Sequence, residues 1–305
     1  MKLRFSSGRL VSIAAVFAIA VSCHRWSVAL PALAPATVGD TTGLVARGEY
    51  IVRNAAVCGH CHAADPQRDP DGPLSGGMEF KDWRIGTARA ANITPDSATG
   101  IGTWSDAEIV RALRNGEAKS GRLLAPVMPY EWFHRMSDRD ALAVARYLRS
   151  RPPVANRVTQ SPNIWFNLGK LLFLGPKGGT SATAPGRAAT AEYGGYLSQH
   201  VALCADCHTP RRGLQSKPDR RRLFAGNDDP PKGFPARPAN LTPDSATAGG
   251  IGTWSEEDFL RTLRTGVNPA GDSLHPFMPW REAGRMTDDD LRAIYRYLRT
   301  LPASG

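Results

Sequence analysis

Two five-residue segments concentrate the chemistry of this chain: Cys58-Gly-His60-Cys61-His62 and Cys204-Ala-Asp206-Cys207-His208. Thiols three residues apart sit about one helical turn apart, with an imidazole immediately after the second. Such a pair could close a disulfide in an exported protein, hold a structural zinc, or perform thiol redox chemistry. A disulfide between adjacent turns staples almost nothing together, and none needs a following His. Cys-x-x-Cys-His is the attachment signature of covalent c-type haem, and its occurrence twice makes accident negligible. Two covalently bound haem c groups are therefore expected. Cys58 and Cys61 would tether one porphyrin and Cys204 and Cys207 the other, with His62 and His208 beneath the irons as proximal ligands.

The sixth ligand decides what such an iron does. An open position favours oxygen or peroxide chemistry, whereas a Met thioether closes the iron and raises its potential, which suits electron transfer. A ligand common to both sites must occur at matched places. Met128 and Met278 do, each between prolines, as Pro126-Val-Met128-Pro129 and Pro276-Phe-Met278-Pro279. Flanking prolines hold an extended loop stiff enough to present a thioether. Met136 and Met286 also match, but each precedes a helix N-cap residue, Ser137 or Thr287, where an apolar side chain packs back on the first turn. The spacing favours Met128 and Met278. Met78 has no partner and reads as packing. Among the remaining histidines, His60 is replaced by Asp206 in the second segment and is expected to face solvent. His134 and His200 correspond to Gly284 and Asn54, and His275 to Ala125, so none can be a shared ligand.

The matched positions belong to an internal duplication. Gly48-Glu-Tyr50 answers Gly194-Gly-Tyr196, and Asn92-Ile-Thr-Pro-Asp-Ser-Ala-Thr99 answers Asn240-Leu-Thr-Pro-Asp-Ser-Ala-Thr247. Ile101-Gly-Thr-Trp104-Ser105 matches Ile251-Gly-Thr-Trp254-Ser255, and Arg146-Tyr-Leu-Arg149 matches Arg296-Tyr-Leu-Arg299. The elements that must position the ligands read as helices with long loops. Leu291, Ile294, Tyr295 and Leu298 follow helical periodicity. Ser137 with Asp140 and Thr287 with Asp290 resemble capping boxes, while Ser105 with Glu108 and Ser255 with Asp258 start another helix in each copy. A third helix leads into each Cys-x-x-Cys-His. The intervening stretches are rich in Gly and Pro, so the expected fold class is all-α. The division is a leader at 1–36, domains at 43–152 and 190–303, and a linker at 153–189. Asn92-Ile-Thr94 and Asn240-Leu-Thr242 satisfy the glycosylation sequon, but their recurrence before proline indicates a structural turn near the haem edge. Trp104 and Trp254 read equally as core aromatics or as partners of the porphyrin.

The 305 residues are 42% hydrophobic and 22% charged, which excludes collagen, coiled coil and wholesale disorder. Leu10–Val21 is too short to span a bilayer comfortably and follows Lys2, Arg4 and Arg9, the pattern of a secretory signal peptide. The formal charge is +10, but residues 1–36 hold four unopposed basic groups, leaving +6. Haem propionates would offset much of that, so the excess calls for no acidic macromolecule, and an exported chain makes a nucleic-acid partner unexpected. Cys23 closes the leader, and its setting fits either ordinary cleavage or lipid attachment. Within the linker, Gly175–Ala189 reads as a flexible spacer. The apolar Ile164–Leu174 reads as a helix on one haem domain, with docking to a partner or the membrane as the competing reading.

Taken in order, the two Cys-x-x-Cys-His segments, each followed by Asn-[Ile/Leu]-Thr-Pro-Asp, Gly-Thr-Trp-Ser, Pro-x-Met-Pro and Arg-Met-[Ser/Thr]-Asp, resemble the cytochrome c subunits of bacterial membrane-associated alcohol, gluconate and aldehyde dehydrogenases. The resemblance covers roughly residues 44–302. It implies two tandem class I cytochrome c domains, haem attached at Cys58, Cys61, Cys204 and Cys207, and axial ligation by His62 with Met128 and His208 with Met278. The leader adds export to the periplasm, with attachment to the inner membrane as the competing reading. Such a protein would take electrons from a dehydrogenase and pass them to quinone, an oxidase or another cytochrome, with no reaction of its own. Many such subunits hold three haem domains where this chain has two. The alternative is a dihaem enzyme such as a cytochrome c peroxidase or thiosulfate dehydrogenase, which requires two unlike haem sites.

Overall fold

A computed structural model describes residues 41–304 except 84, 163–181, 213–216, 229–234 and 247–249. The leader with Cys23 and the apolar stretch 164–174 lie outside the described residues. In the first half, α1 (Thr41–Tyr50) runs into a π-helical turn, Ile51–Ala55, followed by α2 (Gly59–His62). Next come β1 (Glu79–Asp82), β2 (Gly86–Arg89), α3 (Asp106–Asn115), α4 (Tyr130–Phe133) and α5 (Asp138–Arg149). After β3 (Ser161–Pro162) the second half repeats the helices. It has α6 (Ala191–Tyr196) with its π-helical turn Leu197–Val201, α7 (Cys204–His208), β4 (Arg211–Arg212) and β5 (Lys217–Pro218). It ends with α8 (Glu256–Thr265), α9 (Trp280–Ala283) and α10 (Asp288–Leu298).

The all-α expectation is corrected by two small antiparallel sheets. β2 lies between β1 and β3, with Glu79 opposite Arg89 and Gly86 opposite Pro162, and β4 pairs with β5. Arg89 Nε donates to Glu79 across the hairpin at 2.8 Å, and the Gln160 side chain satisfies both the amide and the carbonyl of Arg89. Strands of two to four residues set among Gly and Pro are too short to show a clear period of two, so the sequence reads there as loop.

Helix starts follow the capping pattern. Ser105 with Glu108 and Ser255 with Asp258 form reciprocal boxes. Ser137 and Thr287 accept the Asp140 and Asp290 amides, but those two carboxylates are turned elsewhere. Within each half the first and last helices cross at backbone contact. A Cβ on Gly48 would stand 2.0 Å from the Ala143 carbonyl oxygen, and one on Gly194 1.8 Å from that of Ala293. Only glycine permits that approach. One hydrophobic core runs through both halves, from Ile51, Trp132 and Met136 to Tyr193, Leu197 and Leu291. The described end of the linker is pinned, where a flexible spacer was expected. The Ala182 carbonyl accepts the Asp138 amide at 2.9 Å, supplying a partner to one of the orphan amides at the start of α5.

Candidate haem sites

Each attachment segment is preceded by one residue in the left-handed region, Val57 at φ 44° and Leu203 at φ 55°. This breaks the preceding π-helical turn and re-aims the chain into α2 and α7. A β-branched Val there is strained, of order 1–3 kcal/mol, and such strain concentrates at functional sites. Cys58, Cys61, Cys204 and Cys207 are free thiols, all partly buried. Burial pushes Cys58 and Cys207 up to about 12 and Cys61 and Cys204 up to about 11, so all four are neutral thiols in apolar surroundings.

His62 Nδ1 lies 2.8 Å from the Ala91 carbonyl oxygen and His208 Nδ1 2.7 Å from that of Ala239. A carbonyl only accepts, so Nδ1 carries the proton and Nε2 keeps its lone pair for a metal. Burial holds both imidazoles below the usual His range, which favours the neutral, ligating form. The carbonyls are held in turn. Asn92 Oδ1 accepts from the Thr94 amide and hydroxyl at 3.0 and 2.7 Å while its Nδ2 donates to the Val154 carbonyl at 2.8 Å. Asn240 repeats this on Thr242 and Ser304. The two sequon asparagines are therefore structural, as expected. Their recurrence was readable, but not that Ala91 and Ala239 next to them orient the histidines, because that contact uses backbone atoms.

The two candidate pairs of methionines differ in setting. Met136 and Met286 are fully buried within the core, whereas Met128 and Met278 are only partly buried against it. Their loops are alike: the Leu124 and Leu274 amides donate to the Gly116 and Gly266 carbonyls at 2.7 Å, and the Tyr130 and Trp280 amides to Met128 and Met278. Gly116 and Gly266 end their helices in the left-handed region under the rings of Tyr130 and Trp280. Trp104 and Trp254 are half-buried on the same core. His134 and His200 are bonded through Nδ1 to the Arg114 and Trp132 carbonyls, and His275 Nδ1 accepts the Phe277 amide.

His60 is not turned to solvent as expected. Its Nε2 lies 3.3 Å from Glu282, a buried carboxylate of the other half. Two free thiols, an imidazole with its Nε2 available and a partly buried thioether thus recur in both halves, and this donor set fits a covalently held haem.

Residues 198–302 match the cytochrome c family. The chain is 32% identical over 277 residues to the diheme cytochrome c-type protein of Cereibacter sphaeroides, covering 88% of this chain and 90% of that one. It is 32% identical to the gluconate 2-dehydrogenase cytochrome c subunit of Pantoea cypripedii, over 85% of this chain and 60% of that subunit. It is 33% identical to the cytochrome c subunit of alcohol dehydrogenase (quinone) of Gluconacetobacter polyoxogenes, over 86% and 56%. The chain therefore spans little more than half the length of these dehydrogenase subunits. With 90% of a dihaem relative matched and both donor sets present, the chain belongs to the dihaem c-type cytochromes, electron-transfer proteins carrying two covalently bound haem c groups.

Proposed function

We propose that this chain is the electron-carrying partner of a periplasmic dehydrogenase and has no substrate reaction of its own. Residues 43–152 and 190–303 form the two haem domains. Cys58 and Cys61 hold one haem and Cys204 and Cys207 the other, with His62 and Met128, and His208 and Met278, as axial ligands. The observation that carries this reading is the repetition of the same donor set, down to the carbonyl bond that frees each Nε2. An enzyme would need one unlike site.

When bound, haem iron supplies one-electron cycling between its ferric and ferrous forms. The protein's part is to keep the coordination unchanged through that cycle. The Ala91 and Ala239 carbonyls fix the imidazoles, the proline-flanked loops fix the thioethers, and the apolar core limits water around each iron. Relatives named as cytochrome subunits of gluconate, alcohol and fructose dehydrogenases support a dehydrogenase as electron donor. The acceptor would be a quinone, an oxidase or another cytochrome. Residues 1–36 would direct export to the periplasm, with peripheral attachment to the inner membrane. No helix among the described residues is long and apolar enough to cross a membrane.

The test is haem content and spectrum after expression with haem-attachment machinery. Two irons per chain and a weak Met-to-iron band in the oxidised protein are expected. A colourless product or a single iron overturns the reading, as does rapid turnover of peroxide or thiosulfate.

A further inference from the structure

The basic excess of the chain is not spread over its surface. Between His208 and Asn240 the second half holds eight basic against three acidic residues, a net +5 out of the +6 carried by residues 37–305. The matching stretch of the first half, 63–91, holds four basic against five acidic residues. Two domains with the same donor set thus differ sharply in the charge of one segment, and haem attachment, common to both, does not call for it.

The fold gathers these cations on one face. β4 sets Arg212 directly opposite Lys217 of β5, a placement of like charges that costs stability, and a 3₁₀ turn, Arg220–Arg222, follows. Arg211, Arg212 and Arg222 line one shallow cavity together with Asp228. Asp206 takes Arg211, while Asp219 takes Arg212 at 2.7 Å and caps the turn through the Arg221 amide. Lys217, Arg221 and Arg222 pair with no acid among the described residues, and Lys217 and Arg221 are exposed.

This face borders the first half. Arg220 stacks over Trp132 at 4.6 Å and lies 3.8 Å from Glu131, both on α4, the helix that follows Met128. Val127, 41% exposed, adds an apolar spot on the same loop. Beside the second methionine loop the approach is made by an acid instead: Asp71 bonds Arg285, just beyond α9, at 2.8 Å. The two loops therefore stand beside opposite charges. An apolar spot next to unpaired cations suits an acidic protein surface, because opposed potentials steer the encounter and the apolar contact holds it. No large apolar side chain is exposed among the described residues of the basic segment, as insertion into a bilayer would require.

We propose that the basic face Arg211–Arg222 of the second half docks a redox protein whose own docking face is acidic, and seats it beside the Met128 loop of the first half. This rests on the haem assignment above. Counted over the chain, the excess called for no acidic macromolecule; its placement calls for one. One electron crosses at this surface: the partner and the first haem iron change oxidation state by one in opposite directions, and no bond or proton moves. Charge thus chooses which haem meets that partner.

The experiment uses the haem-loaded ferric protein and, as probe, reduced plant-type ferredoxin, an acidic one-electron protein. Its reduction of the dihaem protein, followed by stopped flow, should be fast at low ionic strength and slow several-fold as salt screens the attraction. Arg221→Ser, Arg222→Ser should slow it several-fold at low salt and leave it unchanged at high salt. Arg68→Ser, Arg157→Ser, which removes the same charge from loops of the first half, should have little effect. An unaltered rate in the first double variant would overturn the proposal, and so would an equal loss in both, which would reduce the effect to net charge. Vesicles of phosphatidylglycerol and of phosphatidylcholine test a lipid surface. Binding to the former that is abolished by Arg221→Ser, Arg222→Ser, with the ferredoxin rate unmoved, would assign the arginines to lipid and overturn it too. The variant should keep two haems and melt normally, because neither arginine makes an ion pair among the described residues. A variant short of one haem would make them haem-holding residues instead, and a parent protein without haem would remove the assignment on which the proposal rests.

Discussion

The Tyr196 hydroxyl donates to Asp140 Oδ2 at 2.8 Å and accepts from the Ser137 amide at 3.1 Å, so a residue of the second half completes the start of α5 in the first. The duplication repeats the device in reverse. Tyr50 donates to Asp290 at 2.5 Å and accepts from the Thr287 amide at 3.1 Å. These are the two carboxylates missing from the capping boxes that sequence leads one to expect. Each has left its own N-cap to receive a tyrosine from the opposite half. The near-box is therefore an inter-half joint.

Removing one hydroxyl should loosen that joint. Tyr196 is nearly buried, and Tyr196→Phe leaves the Ser137 amide without its acceptor and Asp140 one donor short. A cost of about 1–3 kcal/mol is expected. Denaturant unfolding of the haem-loaded protein measures it, and an unchanged midpoint would show that water replaces the hydroxyl.

Asp140 also makes the joint sensitive to acid. Burial opposes its charge, but the bidentate Arg47 contact, with both bonds at 2.9 Å, overrides this and holds the carboxyl below the usual Asp range. A folded-state pKa below the unfolded one stabilises the protein above the unfolded value, about 4, and that stability is lost as pH falls through the lower folded value. Unfolding free energy should therefore drop below about pH 4. Asp140→Asn should be less stable at neutral pH and flatter across that window, as a pH series of denaturant melts would show.

Much of this arrangement was legible in the residue order because duplication shows each feature twice. Cys58, Cys61 and His62 are readable from spacing alone, and the repeated Asn92 and Asn240 signalled a turn. What escaped depends on contacts between distant segments. His60 differs from Asp206 in type, which suggested solvent, yet each is matched to a different partner, Glu282 or Trp132. The short strands Glu79–Asp82 and Gly86–Arg89 escaped because register with a distant linker residue, Gln160, completes them, and no local pattern encodes that.

Close helix crossing makes a sharp test. Gly48→Ala or Gly194→Ala puts a methyl group inside the opposite helix backbone, where no side chain can rotate away. Overpacking against backbone should destabilise by about 1–3 kcal/mol. Thermal melts of the haem-loaded variants would check this, and near-normal stability would mean that the helices can separate at little cost.

Weakening the anchor of one carbonyl should tune one haem. Asn92→Ala removes the acceptor of the Thr94 amide and one of the donors to the Val154 carbonyl, and releases Ala91, whose oxygen accepts from His62 Nδ1. That bond makes the imidazole a better electron donor and favours ferric iron. Loosening it should raise the potential of the first haem and leave the second unmoved, with Asn240→Ala giving the opposite selection. Potentiometric titration reads both. Equal shifts in both haems would show that the asparagines act on the whole fold instead.

The methionines offer the most direct check on ligation. Met128 and Met278 lie on matched loops held by the same two amide bonds, while Met136 and Met286 are sealed in the core. Met128→Ala should open one coordination position, lower that haem's potential and admit carbon monoxide, because a thioether both closes the iron and favours its ferrous form. Met278→Ala should do the same to the other haem, so each variant should bind one carbon monoxide per chain. Met136→Ala, by contrast, leaves a core cavity and should cost about 2–5 kcal/mol of stability with no gas binding. If Met136→Ala were the variant to bind carbon monoxide and Met128→Ala were inert, the ligand would be the buried methionine and the proline-flanked loop would have another purpose.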